Sequence, residues 1–354
     1  MHDVALLRLV AQRLVGPAEE SARDVVGWMT AMQAQDLPGA TTSVTLRSER
    51  RTREDVFDAL RTGAVVRSWP MRGTLHLVPA QDLRWMLGLT SARMVKAAER
   101  RRADLGLDDA TRGRASALAG AALAGGRALR RGELYATWEA AGISTDGQRG
   151  IHLLGYLCQT GLLGLGPMRG LEQCVVLLAD WSPDARVLER DEALGELALR
   201  YFRSHGPATD KDLAWWTKLT LSDVRTGLAV AQSQLAVLEV DGVSYFMDPT
   251  TPDRLAACRG QASGVLLLPG FDEFLLGYQD RSAALAPEHA QRVVPGGNGM
   301  FLSTVVADGS VVGTWKRARQ AGRTTIKATP FSAFTTAVAE AIDPAFQALP
   351  DGVD

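Results

Sequence analysis

Cysteine is scarce: Cys158, Cys174 and Cys258 stand far apart in 354 residues, with no histidine pair beside them. That leaves no zinc pattern and no disulfide framework, and it reads as small buried hydrophobes in a reducing cytoplasm. No run of 18 apolar residues occurs, so no membrane-crossing helix is predicted. The opening "MHDVALLRLVAQRL" is charged and amphipathic and lacks a secretory core and cleavage site. There is no P-loop, no H-E-x-x-H, no nucleophile elbow and no C-x-x-C pair. We therefore expect no metal and no cofactor. Net charge is nearly absent too: 39 Lys/Arg against 40 Asp/Glu gives −1, so no global field advertises nucleic acid or membrane.

What is present is an ordinary globular composition, 46% hydrophobic and 22% charged, in a chain long enough for two to four compact units. The positive charge is local. From Arg47 to Asp104 there are 13 Lys/Arg against 7 Asp/Glu, and from Val311 to Lys327 there are five bases and no acid. Such clusters are the footprint of a local anionic partner.

Along the chain a helix, two further helices and a β-hairpin recur in the order of a winged helix. The clearest copy, 186–250, runs through "DEALGELALRYFRSHG", a Thr209-capped helix, "TLSDVRTGLAVAQSQL" and a hairpin about Asp241-Gly242. A second copy spans 110–185. The first, 1–80, has helices in "VALLRLVAQRL", "SARDVVGWMTAM" and "TREDVFDALRTG" and a hairpin in "AVVRSWPMRGTLHLVP". A helical connector, 81–109, separates these two. From 251 to 354 short apolar runs split by Gly/Asp turns predict a β-rich unit with a terminal helix. The predicted fold class is α+β: three tandem winged helices with a small β-rich C-terminal unit. "GLGPMRG" and "PGGNG" read as turns, because no βαβ setting surrounds them.

Catalytic candidates are few. In "FDEF", Asp272 and Glu273 would point to opposite faces of a strand, which argues against a shared acid/base role. His76 in "MRGTLHLVP" reads first as a structural histidine. The stretch "TAMQAQDLPG" holds Gln33 and Gln35 where a helix runs out; alone, such a pair is an ordinary solvated loop. The Pro-Gly break predicts an extended segment, on which residues i and i+2 share a face and the two amides converge. Amides are too weakly basic to deprotonate water, but their carbonyls can orient one and meet a developing positive charge.

Taken together, the winged-helix order, "AMQAQD", "RSWPMRGTLHLVP", "LLPGFDEFLLGYQDR" and "NGMFLSTVVADGSVVGTWKR" resemble the bacterial winged-helix DNA glycosylases of the AlkZ/YcaQ type over nearly the whole chain. The resemblance implies a C-shaped DNA-binding scaffold. It also implies a catalytic Gln-x-Gln at Gln33 and Gln35, the motif of the AlkZ branch rather than the Gln-x-Asp branch. Ala34 stands where a larger apolar residue is common. That branch removes bulky N7-alkylguanine adducts and in some members unhooks interstrand crosslinks, for repair or for self-resistance to a genotoxic natural product. The expected partner is double-stranded DNA carrying alkylated guanine, gripped by a monomer in the cytoplasm at the nucleoid. Arg67, Arg72, His76, Lys316 and Arg317 are the candidate DNA-binding residues. The hairpin in "VVADGSVVGTWKR" is a candidate lesion probe. Two alternatives stay open on the residues themselves: a non-catalytic winged-helix regulator, and a scaffold whose units pack on protein.

Overall fold

Three stretches of the chain fold as helices followed by a two-stranded hairpin, in a computed structural model that describes residues 2–320 and 323–350. After α1 (His2–Ala11) come α2 (Ala22–Met29), a two-residue strand β1 (Met32–Gln33), α3 (Leu37–Thr45), α4 (Arg53–Arg61) and the hairpin β2 (Val65–Met71)–β3 (Thr74–Pro79). The connector holds α5 (Leu83–Ala97) and α6 (Glu99–Asp104). The second stretch has α7 (Asp109–Leu123), β4 (Ala128–Arg130), α8 (Arg131–Ala140), α9 (Arg149–Gln159), β5 (Leu163–Arg169) and β6 (Glu172–Leu177), then the short α10 (Leu178–Trp181). The third has α11 (Arg190–His205), α12 (Asp210–Thr217), α13 (Leu221–Ala231) and the hairpin β7 (Ala236–Val240)–β8 (Val243–Met247). The C-terminal part contains α14 (Thr251–Ala262), β9 (Val265–Leu268), α15 (Glu273–Leu276), α16 (Ala290–Val293), β10 (Thr304–Ala307), β11 (Ser310–Gln320), β12 (Arg323–Pro330) and α17 (Thr336–Gln347). No helix among the described residues is long and apolar enough to cross a membrane.

Local chemistry explains many of these boundaries. Thr209 accepts a hydrogen bond from Asp212 N–H while the Asp212 carboxylate accepts from Thr209 N–H, a capping box that starts α12. Asp241 and Gly242 both have positive φ, 51° and 74°, as a two-residue hairpin turn requires. In α7 the buried positions Ala115, Ala119 and Leu123 recur every four residues and face Leu134, Trp138, Leu153 and Leu157.

Four features depart from the sequence reading. The first helix does not pack in the first unit: Ala5, Leu6, Leu9 and Val10 join Leu255, Cys258 and Ala262 of α14 in one core. The break at Asp36-Leu37-Pro38 does not lead into a loop but starts α3, with Asp36 at the N-cap and Pro38 in the first turn, where its missing N–H has no partner to lose. "FDEF" is no strand, because Asp272 caps α15 and its side chain accepts from Phe274 N–H. "GLGPMRG" lies mostly on β5 and turns only at Gly170.

The hairpins of the first two units also fuse, through pairing of Arg67 with Leu165, into one six-stranded sheet ordered β1-β3-β2-β5-β6-β4. The C-terminal strands form a second sheet, β12-β11-β10-β9. Its Asp308-Gly309 turn, the candidate lesion probe, is packed on α1: a Cβ on Gly309 would sit 3.0 Å from Leu6 Cδ2. The hairpin that carries the basic run is the next one, β11–β12.

Candidate active site

The two glutamines sit on the edge of the six-stranded sheet, where β1 pairs with β3 through Met32–Leu77 and Gln33–His76. The strand pairing ends one residue later, with Ala34 N–H donating to the Leu75 carbonyl at 2.7 Å. Beyond it the side chains take over. Gln35 N–H donates to Gln33 Oε1 at 3.3 Å, and Leu75 N–H donates to Gln35 Oε1 at 3.3 Å. Each amide oxygen is thereby aimed by a backbone N–H and keeps a second lone pair. Gln33 is buried and Gln35 exposed, so the pair runs from the interior to the surface.

Asp36, the adjacent acid, turns away toward the start of α3. Its Oδ2 lies 2.5 Å from where a Cβ on Gly39 would stand, so a larger residue there would push the carboxylate aside.

Beneath Gln33 lies a buried polar layer. Gln33 N–H donates to Glu273 Oε1 at 2.9 Å, and the indole N–H of Trp216 donates to Glu273 Oε2 at 3.0 Å. His205 Nε2 faces the same carboxylate at 3.6 Å, close enough for an electrostatic contact. Burial opposes ionisation of Glu273, but His205, the Arg72 charge and the Gln33 N–H outweigh it and hold its pKa down at about 2. Glu273 is kept in place by its neighbour: the Asp272 carboxylate takes a two-pronged salt bridge from Arg47, 2.8 Å on each side, and a hydrogen bond from Ser43. Arg47 also reaches Gln12 Oε1 and the carbonyls of Gln12 and Ser43. The first turn after α1, α3 and α15 are thus tied together directly under the glutamines.

Arg72 and Gly73 form the β2–β3 turn with φ of 56° and 69°. Behind it, Trp69 and Pro70 of β2 oppose Leu75 alone, a β-bulge that aims the turn. Arg72 Nη2 lies 3.0 Å from His76 Nε2, and because arginine can only donate, that nitrogen is the acceptor. His76 Nδ1–H donates to the Thr74 carbonyl at 2.9 Å. Burial, then the Arg72 charge, push the His76 pKa down to about 3, so the ring is neutral at physiological pH.

The residues expected to contact DNA are distributed unevenly. His76 is wholly buried, which removes it from any surface a phosphate reaches and leaves it a support for Arg72. Arg67 is committed inward: its guanidinium donates to the Ala34 carbonyl at 2.8 Å, the Gln35 carbonyl at 3.3 Å and Gln173 Oε1 at 2.8 Å. Burial, opposed by Asp36, lowers its pKa to about 10. Arg67 therefore clamps the glutamine segment. Arg72 is half-buried and borders a cleft of about 680 Å³ that also holds Arg93, Arg102 and Lys218 and has no acid in its lining. Lys316 is exposed on β11 opposite Lys327 of β12, whereas Arg317, on the other face, lies 5.2 Å from the Phe346 ring of α17. No group of three or more His, Cys, Asp or Glu able to hold a metal ion is found among the described residues.

The sequence singles out Asp272 and Glu273 only to set aside a shared acid/base role, and it does not reveal Arg47 and Trp216 as their partners. The available signal was two acids inside the apolar run "VLLLPGFDEFLLGY", since charges buried in such a setting require partners.

Comparison with known proteins gives concordant results. A family model described as "DNA glycosylase AlkZ-like" matches residues 26–351. A protein of Streptomyces sahachiroi named "Interstrand DNA cross-link repair glycosylase" is 29% identical over 332 residues, covering 89% of this chain and 87% of that one. The solved structure of Streptomyces sahachiroi DNA glycosylase AlkZ aligns with a TM-score of 0.76 at 28% identity, over 97% of this chain and 94% of its own.

Proposed function

The chain belongs to the AlkZ-like DNA glycosylases, and from that premise we propose that it hydrolyses the N-glycosidic bond of bulky N7-alkylguanine and unhooks interstrand crosslinks built on that lesion. Gln33 and Gln35 are the proposed catalytic residues. One observation carries this reading. The amide oxygens of Gln33 and Gln35 are each oriented by a backbone N–H, while Glu273 and His76 beside them are buried, the first ionised and the second neutral at physiological pH.

The chemistry suits so mild a site. Alkylation at N7 makes guanine cationic. The C1′–N9 bond breaks with its electron pair leaving on the base, which becomes neutral, while C1′ takes on oxocarbenium character. A water held by the Gln33 and Gln35 carbonyls adds to C1′ on the face away from the base, and its proton passes to solvent. The amide dipoles meet the developing positive charge without having to reorganise. Unmodified guanine is a poor leaving group, so weak catalysis spares normal DNA.

The proposed partner is double-stranded DNA bound by a monomer in the cytoplasm. Its backbone would run along the basic cleft of Arg72, Arg93 and Lys218 and the Lys316–Lys327 face of the β11–β12 hairpin, by contacts that fix position rather than read sequence. A crosslinked base is tied to the opposite strand and cannot swing out, which favours a site at the surface over a deep base pocket. The test is incubation with a duplex carrying one N7-alkylguanine, scoring free modified base and an abasic site. Binding without release of any N7 adduct would overturn the proposal.

A further inference from the structure

Resting on the reading above, in which the two glutamines act on a base that cannot swing out, we propose that Phe271, Met300 and Leu302 form an apolar wedge. It enters the minor groove beside the lesion and unstacks one base step, opening the groove to the glutamines. The need for it follows from the DNA. The C1′–N9 bond opens onto the minor groove, which in B-form duplex is only about 6 Å wide and about 7.5 Å deep. Two amides and a water must reach C1′ there while the base stays tied to the opposite strand. With flipping barred, unstacking is the deformation left, and minor-groove proteins achieve it by inserting Phe, Leu, Ile or Met side chains between base steps.

The ridge is built for exposure. Met300 and Leu302 are 55% and 43% exposed on either side of Phe301, whose ring lies 6.2 Å from the half-buried Phe271 ring. Phe271, Phe301 and Leu302 wall one narrow crevice. Phe271 has a φ of 61°, in the left-handed region that a bulky residue occupies only at a cost, and such strain gathers at functional positions. Asn298 Oδ1 accepts from the Met300 N–H at 2.9 Å and fixes the turn that presents the methionine.

The ridge also lies between the glutamine segment and the basic hairpin. On one side, α3 at Gly39, then Gly270, then Phe301 stack backbone on backbone. A Cβ on Gly39 would stand 3.4 Å from the Gly270 carbonyl oxygen, and one on Gly270 would stand 2.7 Å from that of Phe301. Helix α3 begins at Leu37, two residues after Gln35. Phe271 directly precedes Asp272 and Glu273, which hold Arg47 and the Gln33 N–H, so a push on the ridge is met by the layer that positions the glutamines. On the other side, the Ser303 carbonyl accepts from Trp315 N–H at 3.0 Å, and the next residue of β11 is Lys316. The Arg281 guanidinium lies 5.0 Å from the Phe301 ring. An apolar edge flanked by cations can pry bases apart while the cations hold the phosphates.

The test uses a duplex carrying one N7-benzylguanine, with 2-aminopurine, whose fluorescence rises on unstacking, placed in turn at positions around the lesion. Fluorescence is read on binding, before base release, and release is then followed under single-turnover conditions. Wild type is expected to raise the signal at a position next to the lesion and not at positions several base pairs away. The double variant Met300→Ala/Leu302→Ala, which alters only exposed side chains, should lose most of that rise and slow base release roughly tenfold, since the reacting sugar is no longer opened to the amides. Met300→Leu/Leu302→Met, which keeps an apolar edge, should retain both signal and rate. No rise with wild type at any position, or an equal rise with wild type and the alanine variant, would overturn the inference. Unstacking that depends on Met300 and Leu302, without release of the base by wild type, would count instead against the glycosylase reading of the lesion.

Discussion

Replacing Glu273 with glutamine keeps the side chain's shape and removes its charge and one acceptor. The carboxylate takes two N–H groups, from Gln33 and from the Trp216 indole. A glutamine amide has one oxygen, so whichever way it turns, one buried donor faces an NH2 group and loses its partner, a loss of about 1–3 kcal/mol. The charge itself is worth a similar amount. Its pKa falls from 4.5 to about 2 in the folded protein, which corresponds to about 3 kcal/mol of stability at neutral pH. Because the folded value is depressed, that stability is present above the unfolded pKa and is lost as pH falls toward the folded one. Glu273→Gln should therefore lower unfolding free energy by about 3 kcal/mol at pH 7, measured by urea denaturation, with the penalty shrinking between pH 4.5 and pH 2. Base release should slow by roughly tenfold to a hundredfold with little change in KM, because the Gln33 backbone loses its anchor while DNA contacts remain. A penalty independent of pH, or an unchanged release rate in a folded variant, would refute this account of the buried carboxylate.

Arg67→Ala should slow base release roughly tenfold while lowering affinity for undamaged duplex less than twofold, since its guanidinium holds the Ala34 and Gln35 carbonyls rather than phosphate. A rate–pH profile should be flat between about pH 6 and pH 9, because glutamine amides do not titrate there. Thermal stability, by contrast, should decline as pH falls below the ordinary histidine range, because His76, held neutral down to about pH 3, gains its proton only on unfolding. Lys316→Ala and Lys327→Ala should each reduce the salt dependence of DNA binding by about one unit of slope without altering preference for the lesion; unchanged slopes would remove that hairpin face from the interface.

Short-range chemistry made part of this protein legible from its sequence. The Thr209 cap, the Asp241-Gly242 hairpin and the extended Gln33–Gln35 segment are each specified by neighbours within a few positions. Long-range pairing was not legible. The single Arg67–Leu165 register that fuses two hairpins into one sheet leaves no periodic trace, nor does the docking of α1 against α14. Asp272 and Glu273 misled for a different reason. The strand rule for adjacent residues rightly separated their directions, but α15 sends one to Arg47 and the other to Gln33, and both prove structural. Asp36, the acid next to the motif, stands at the N-cap position of α3. The regulator and scaffold readings yield to family membership, since an AlkZ-like DNA glycosylase is an enzyme.

The most direct test of the central claim is single-turnover release of an N7-alkylguanine by Gln33→Ala and Gln35→Ala, each confirmed folded and able to bind DNA. Loss of one preorganised contact to the reacting centre predicts roughly a hundredfold slower release in either variant, with duplex affinity retained. Release at the wild-type rate by both variants would contradict the assignment of catalysis to the two amides.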